Sequence, residues 1–211
     1  MTLLDYHRLH GEERDSWDLA AVEAAASRQD AAFASRVQEC LPASEEKFSG
    51  NLVQVERGPL FEKLARLCRL YLQGSPEQRT YIRSRVDRRI GSKLESFALR
   101  AAVWGVREQA PDLVRLGLAA FAIADIGGDV RETLMSMAVL FHAANRCGAG
   151  AATLFPEAAG ICGPAMSAVL LDFLQRAPGL QSLASMGWRE VETPEGAGFE
   201  WGWPKRGARQ E

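Results

Sequence analysis

The chain has 211 residues, 47% of them hydrophobic and 25% charged, and a formal net charge of −2. That is enough chain for one sizeable core and short for two, which excludes wholesale disorder, and it is too nearly neutral for a protein whose entire surface is a nucleic-acid grip. The charge is uneven, with ten acidic against four basic side chains in residues 1–46 and seven basic against three acidic in 77–100. An acidic arm can neutralise a basic middle.

Residues 1–10 mix charged with apolar side chains, unlike a secretory signal, and no uncharged run reaches the roughly 18 apolar residues of a spanning helix. A cytoplasmic chain without membrane contact is the expectation. Ser16 starts a first predicted helix carrying Trp17, Ala20, Ala21 and Ala24, and Asp30 starts a second carrying Phe33, Val37, Cys40 and Leu41. Residues 42–58 show no period and read as a surface connection, with an extended piece at Leu52, Val53, Gln54 and Val55.

Proline fixes φ and lacks a donor hydrogen, so it suits the first helical position. Gly58-Pro59 therefore opens a helix to about Gln73, with Leu60, Leu64, Leu67, Cys68 and Tyr71 on one face. Ser75-Pro76 starts the next, to about Ile90, and Ser92 caps a third to about Gln109 whose buried stripe is Leu94, Phe97, Ala101 and Trp104. Pro111 starts a fourth, to about Ala124, with so few polar residues after Arg115 that it is expected to be buried on most sides.

Gly127-Gly128 supplies a turn, and Asp129 with Glu132 has the form of a capping box ahead of a helix to about Arg146 that includes Phe141. Shorter helices are predicted over 151–161 and 164–175, with a last turn over 179–186. The period then changes: alternating residues from Trp188 to Trp203 about a Pro194-Glu195-Gly196 turn predict a β-hairpin, with Phe199, Trp201 and Trp203 on one side of its second strand. This hairpin is expected to cap the helices over 170–186 and bury Trp201, and residues 204–211 read as a frayed tail.

Sliding the sequence by 39 residues aligns Ala101-Ala102 with Leu140-Phe141, Leu116 with Phe155, Ala119-Ala120 with Ala158-Ala159, and Ile123 with Cys162. Recurring helix pairs that cannot each cover their own apolar face are the signature of a helical solenoid. In period, small-residue packing and punctuation, though in no specific consensus motif, the chain over residues 59–186 resembles the HEAT and armadillo class. The resemblance implies a mainly α fold of antiparallel helix pairs stacked as a short right-handed superhelix, here closed by the hairpin, with macromolecular binding along a surface and no catalytic residues. The expected organisation is one domain over 1–203: N-terminal helices and connection to 58, repeats over 59–186, and the hairpin over 187–203.

Candidate chemistry is sparse. The Asp125-Ile126-Gly127-Gly128-Asp129 string offers two carboxylates but not the six to eight oxygens of a calcium loop, so it reads as a helix-to-helix turn. His142 and Cys147 stand about 140° apart around a helix and cannot share a face, and His142 reads as a flank histidine with backbone or water partners. Cys40, Cys68, Cys147 and Cys162 form no Cys-x-x-Cys pair and read as small buried hydrophobes. No nucleophile elbow, phosphate loop or zinc helix motif is present, and no metal or cofactor is expected.

Two surfaces remain. Arg85, Arg89 and Lys93 recur every four residues with Arg88 beside them, forming one basic stripe opposite Ile82, Val86 and Ile90 if the helix continues through Gly91. Such a stripe grips phosphates, although most charge runs are solvated faces. The aromatic positions Phe199, Trp201 and Trp203 are the other. The favoured expectation is a non-catalytic adaptor whose partner is another protein; the alternative is a nucleic-acid-binding helical-repeat protein, even a base-acting enzyme, that uses the region from Arg85 to Arg100 as its phosphate track.

Overall fold

The computed structural model describes residues 31–49, 57–124, 139–148, 188–194 and 196–201, and of Trp188, Ala197, Phe199 and Trp201 the backbone alone. The readings made for the helix after Ser16, the piece at 52–55, the Asp125 to Asp129 string, the two short helices and last turn of 151–186, Cys162 and Trp203 lie outside these residues. Among the described residues there are six helical segments and one two-stranded sheet: α1 (Ala31–Cys40), α2 (Pro59–Gln73), α3 (Pro76–Ser84), α4 (Arg88–Glu108), α5 (Pro111–Ala124), α6 (139–146), β1 (Trp188–Thr193) and β2 (Gly196–Trp201). Among the described residues no helix is long and apolar enough to cross a membrane.

α2 begins at Pro59 and buries Leu60, Phe61, Leu64, Ala65, Leu67, Cys68 and Tyr71, which include every residue of its predicted stripe. α3 begins with a full capping box. The Ser75 hydroxyl accepts from the Gln78 N–H at 3.3 Å while the Gln78 side chain accepts from the Ser75 N–H at 2.9 Å, so two otherwise orphaned donors are satisfied.

The structure corrects the next boundary. α3 stops at Ser84 rather than Ile90, its end tightened by Arg85 N–H to Ile82 O at 3.1 Å and Val86 N–H to Arg83 O at 3.1 Å. α4 then starts at Arg88, with the Asp87 carboxylate accepting from the Ile90 N–H at 2.8 Å, so Asp87 and not Ser92 is the cap. Gly91 is no break. A Cβ there would lie 3.2 Å from the Ala124 carbonyl oxygen, so this glycine serves close helix approach and not a turn.

α4 and α5 are joined by two residues. Gln109 takes the left-handed conformation, φ 52°, and the Ala110 N–H donates to Gly105 O at 2.9 Å. With Gly91 opposite Ala124 and Gly117 opposite Ala98, the two helices run antiparallel in near backbone contact. α5 is buried at every position from Leu116 to Ile123, as its lack of polar residues predicted. Phe61 of α2 and Phe97 of α4 join the layers, their ring centroids 4.8 Å apart.

Phe141 is buried, as expected, but Trp104 is only half-buried at the margin of the core. Two guanidinium groups approach its ring, with the Cζ atoms of Arg57 and Arg107 each 5.5 Å from the centroid.

The hairpin is antiparallel with Thr193 opposite Gly196 and Trp188 opposite Trp201, so the turn falls where Pro194 predicted it. Gly196 has φ +112°, and the Thr193 hydroxyl donates to its carbonyl at 2.8 Å. Phe199 and Trp201 occupy alternate positions of β2. The helices over 170–186 on which the hairpin was expected to rest lie outside the described residues. Within them, the Arg107 guanidinium donates to the Thr193 hydroxyl at 3.2 Å, and Glu190 meets α6.

Candidate anion-binding cleft

α4 is amphipathic in an unusual sense, because the face opposite its core is cationic rather than merely polar. Gly91, Leu94, Phe97, Ala98, Ala101 and Ala102 are buried toward α2 and α5. Arg88, Ser92, Ser96 and Arg100 follow one another at four-residue intervals, with Arg89 and Lys93 flanking them, and this row forms one wall of an open cleft.

The other wall is the irregular segment 41–49, which contributes Lys47 and Phe48. Its backbone bonds are local, Leu41 N–H to Gln38 O at 3.2 Å and Glu46 N–H to Ala43 O at 3.3 Å. Cationic side chains attach it to the helices. The Lys93 ammonium donates to the Ala43 and Ser44 carbonyls at 2.5 and 3.2 Å, and the Lys63 ammonium sits 2.8 and 3.0 Å from the two Glu46 carboxylate oxygens. The Arg100 guanidinium donates to Ser49 O at 3.5 Å and covers the Phe48 ring.

The cleft has a volume of about 560 Å³ and is lined by five cations, two serines and Phe48. Among the described residues no carboxylate lines it. The nearby acids have other duties: Asp87 caps α4, and Glu46 is paired with Lys63. That pairing, chiefly the hydrogen bond from Lys63, holds the Glu46 carboxyl below its ordinary range. The Glu45 carboxyl is lowered too, first by a backbone hydrogen bond and then by the Ser44 hydroxyl at 2.9 Å.

The five cations divide by depth. Arg100 is 5% exposed, and desolvation pulls its pKa below the ordinary arginine value, yet a guanidinium stays protonated at neutral pH. Lys93 is half-buried and committed to the carbonyls of the opposite wall. Lys47, Arg88 and Arg89 are exposed, and among the described residues none of the three is held by a hydrogen bond or ion pair. Buried and half-buried positive charge is thus held in place, and exposed donors stand beside it.

Of the predicted stripe, the structure brings Arg88, Arg89 and Lys93 together and leaves Arg85 out. Arg85 is the C-cap of α3, with its guanidinium 3.4 Å from the Gln38 side-chain oxygen, because the helix breaks before Asp87. Lys47 and Phe48 were missed, since they belong to a segment without period. The side chains of Phe199 and Trp201, and all of Trp203, lie outside the described residues.

Arginine, lysine and serine supply donors that match phosphate oxygens, and arginine does so bidentately. Among the described residues no histidine or carboxylate lines the cleft beside Ser92 and Ser96. Such a lining matches the chemistry of an anion and, among the described residues, places no base beside either serine.

A second polar cluster corrects the reading of His142. Its Nε2 lies 2.8 Å from Glu190 of β1, and the other Glu190 oxygen is 3.3 Å from the Arg146 guanidinium, so His142 has a carboxylate partner. This ties the hairpin to α6. The Cys147 thiol donates to Gly105 O at 2.9 Å, and burial raises its pKa, as it does for Cys40 and Cys68. Among the described residues no group of acids, histidines and cysteines is arranged to hold a metal ion. No protein family, curated protein or solved structure matches this chain.

Proposed function

We propose that this protein binds phosphate-bearing polyanions, nucleic acid foremost, in the cleft between α4 and residues 41–49. The observation that carries the reading is five cations converging on one cleft that no described carboxylate lines. A solvated face scatters its signs, whereas burying Arg100 and collecting Arg88, Arg89, Lys93 and Lys47 around it costs mutual repulsion that an anion offsets. The binding is non-catalytic, through a surface and without a cofactor.

A second reading is an adaptor of HEAT or armadillo type whose partner is another protein. It rests on Phe199 and Trp201 at alternate positions of β2 and would place the partner on the hairpin, away from the cleft.

Titration of labelled nucleic-acid oligomers at several salt concentrations tests the first reading. The logarithm of the affinity is expected to fall steeply and linearly with that of salt. The double variant Arg88→Ala, Arg89→Ala should bind more weakly at low salt and with a slope shallower by roughly 1.4 to 1.8, two phosphate contacts fewer. Absence of binding at low salt, or the same slope in the variant, refutes the reading.

A further inference from the structure

We infer that the polyanion is a single-stranded nucleic acid and that Phe48 receives one of its bases. This rests on the polyanion reading of the same cleft and goes beyond it in naming what the cleft reads besides charge.

The length of the cationic row argues for a strand. From Arg88 to Arg100 is twelve residues of one unbroken helix, about 18 Å at 1.5 Å per residue. That is far longer than a single phosphate needs, and it is the dimension of several linked ones.

Phe48 argues for bases. It is the one apolar side chain among the described lining residues, half-buried, packed in part against the core and with the Arg100 guanidinium over its ring. The part of the ring that borders this open, charged cleft gains nothing from phosphate. The flat face of a base covers such a ring regardless of sequence, and positive grooves with aromatic platforms are how single strands are bound.

The platform is also fixed in advance. The Arg100 guanidinium carbon lies 4.4 Å from the Phe48 centroid, and Arg100 is itself anchored by a helix whose neighbouring positions Phe97, Ala98, Ala101 and Ala102 are fully buried. Little freedom is lost when a base arrives. In a duplex the bases are stacked and paired, so only phosphates reach the cleft and Phe48 stays unused.

The test compares three probes by fluorescence anisotropy: a 12-nucleotide oligouridylate or oligothymidylate, the same strand annealed to its complement, and inorganic polyphosphate of equal charge. The single strand should bind about tenfold more tightly than polyphosphate. Phe48→Leu, which keeps an apolar cover over Arg100, should remove that advantage while changing polyphosphate binding less than twofold. Phe48→Trp should restore it, with its emission in excess of the wild type's five tryptophans quenched by the oligonucleotide and not by polyphosphate.

If duplex and polyphosphate bind as tightly as the single strand, or Phe48→Leu weakens all three alike, the base-stacking inference falls and the polyanion reading stands. If no probe binds, both fall. Should Phe48→Leu fail to fold, the Phe48→Trp variant decides alone, and emission in excess of the wild type's five tryptophans that stays unquenched at saturating oligonucleotide overturns the inference.

Discussion

Gly117 of α5 and Ala98 of α4 meet backbone to backbone: a Cβ on Gly117 would stand 3.2 Å from the Ala98 carbonyl oxygen and 2.6 Å from a methyl of Leu140. Leu140 is fully buried and has nowhere to retreat. Helix propensity alone favours alanine over glycine by about 1 kcal/mol. Overpacking costs about 1–3 kcal/mol and works against it. Gly117→Ala is therefore expected to lower stability by about 1 kcal/mol, and an unchanged or higher urea midpoint would show that α4, α5 and α6 are less tightly packed than described.

The opposite outcome is expected at Gly58. It caps α2 without a side-chain hydrogen bond, at φ −95°, and nothing lies within 4 Å of where its Cβ would be. Serine fits this conformation, adds a cap to the amide of the first turn and restricts the unfolded chain. Gly58→Ser should raise stability by about 0.5–1 kcal/mol, read as a higher denaturant midpoint at unchanged slope.

Phe141 and Trp104 separate by depth. Phe141→Ala empties a buried site and should cost about 3–5 kcal/mol. Trp104 is half-buried and leans on Arg57 and Arg107 as much as on apolar neighbours, so Trp104→Ala should cost clearly less. Equal losses in chemical denaturation would mean that the indole is as central as the phenyl ring.

The Glu46 and Lys63 pair makes one wall of the cleft sensitive to acid. The folded carboxyl has a lowered pKa, so its contribution is fully present above the unfolded value, about 4.3, and is lost as pH falls toward the folded one. At a partly exposed site the effect is small. The wild type should lose more stability than Glu46→Gln between about pH 5 and pH 3. Parallel pH profiles for the two proteins would exclude the pair as a contributor.

What was legible in the sequence followed from period and punctuation. The face of α2 and the enveloping burial of α5 are written in the spacing of leucine and alanine, and the hairpin in its alternation and its proline turn. The break at Asp87 was not. Glycine and serine at 91–92 look like a helix boundary, and only the proximity of Ala124 explains why a glycine stands inside a helix there.

Half of the cleft was likewise hidden. A row of arginines on α4 can be counted from a sequence, but the wall that faces it comes from residues some fifty positions earlier, joined by Lys93 to the carbonyls of Ala43 and Ser44. Neither Lys47 nor Phe48 belongs to a periodic element. Likewise, nothing local to His142 announces Glu190, 48 residues away and on a strand.

Residues 41–49 are attached to the helices through the charged heads of Lys63, Lys93 and Arg100. Salt screens such contacts, the half-exposed ones most. Ionic strength therefore acts on this cleft twice, once on the phosphates it holds and once on the wall that shapes it. The apparent number of ions released on binding will exceed the number of phosphates bound, and the excess reports the charged contacts that hold this wall in place.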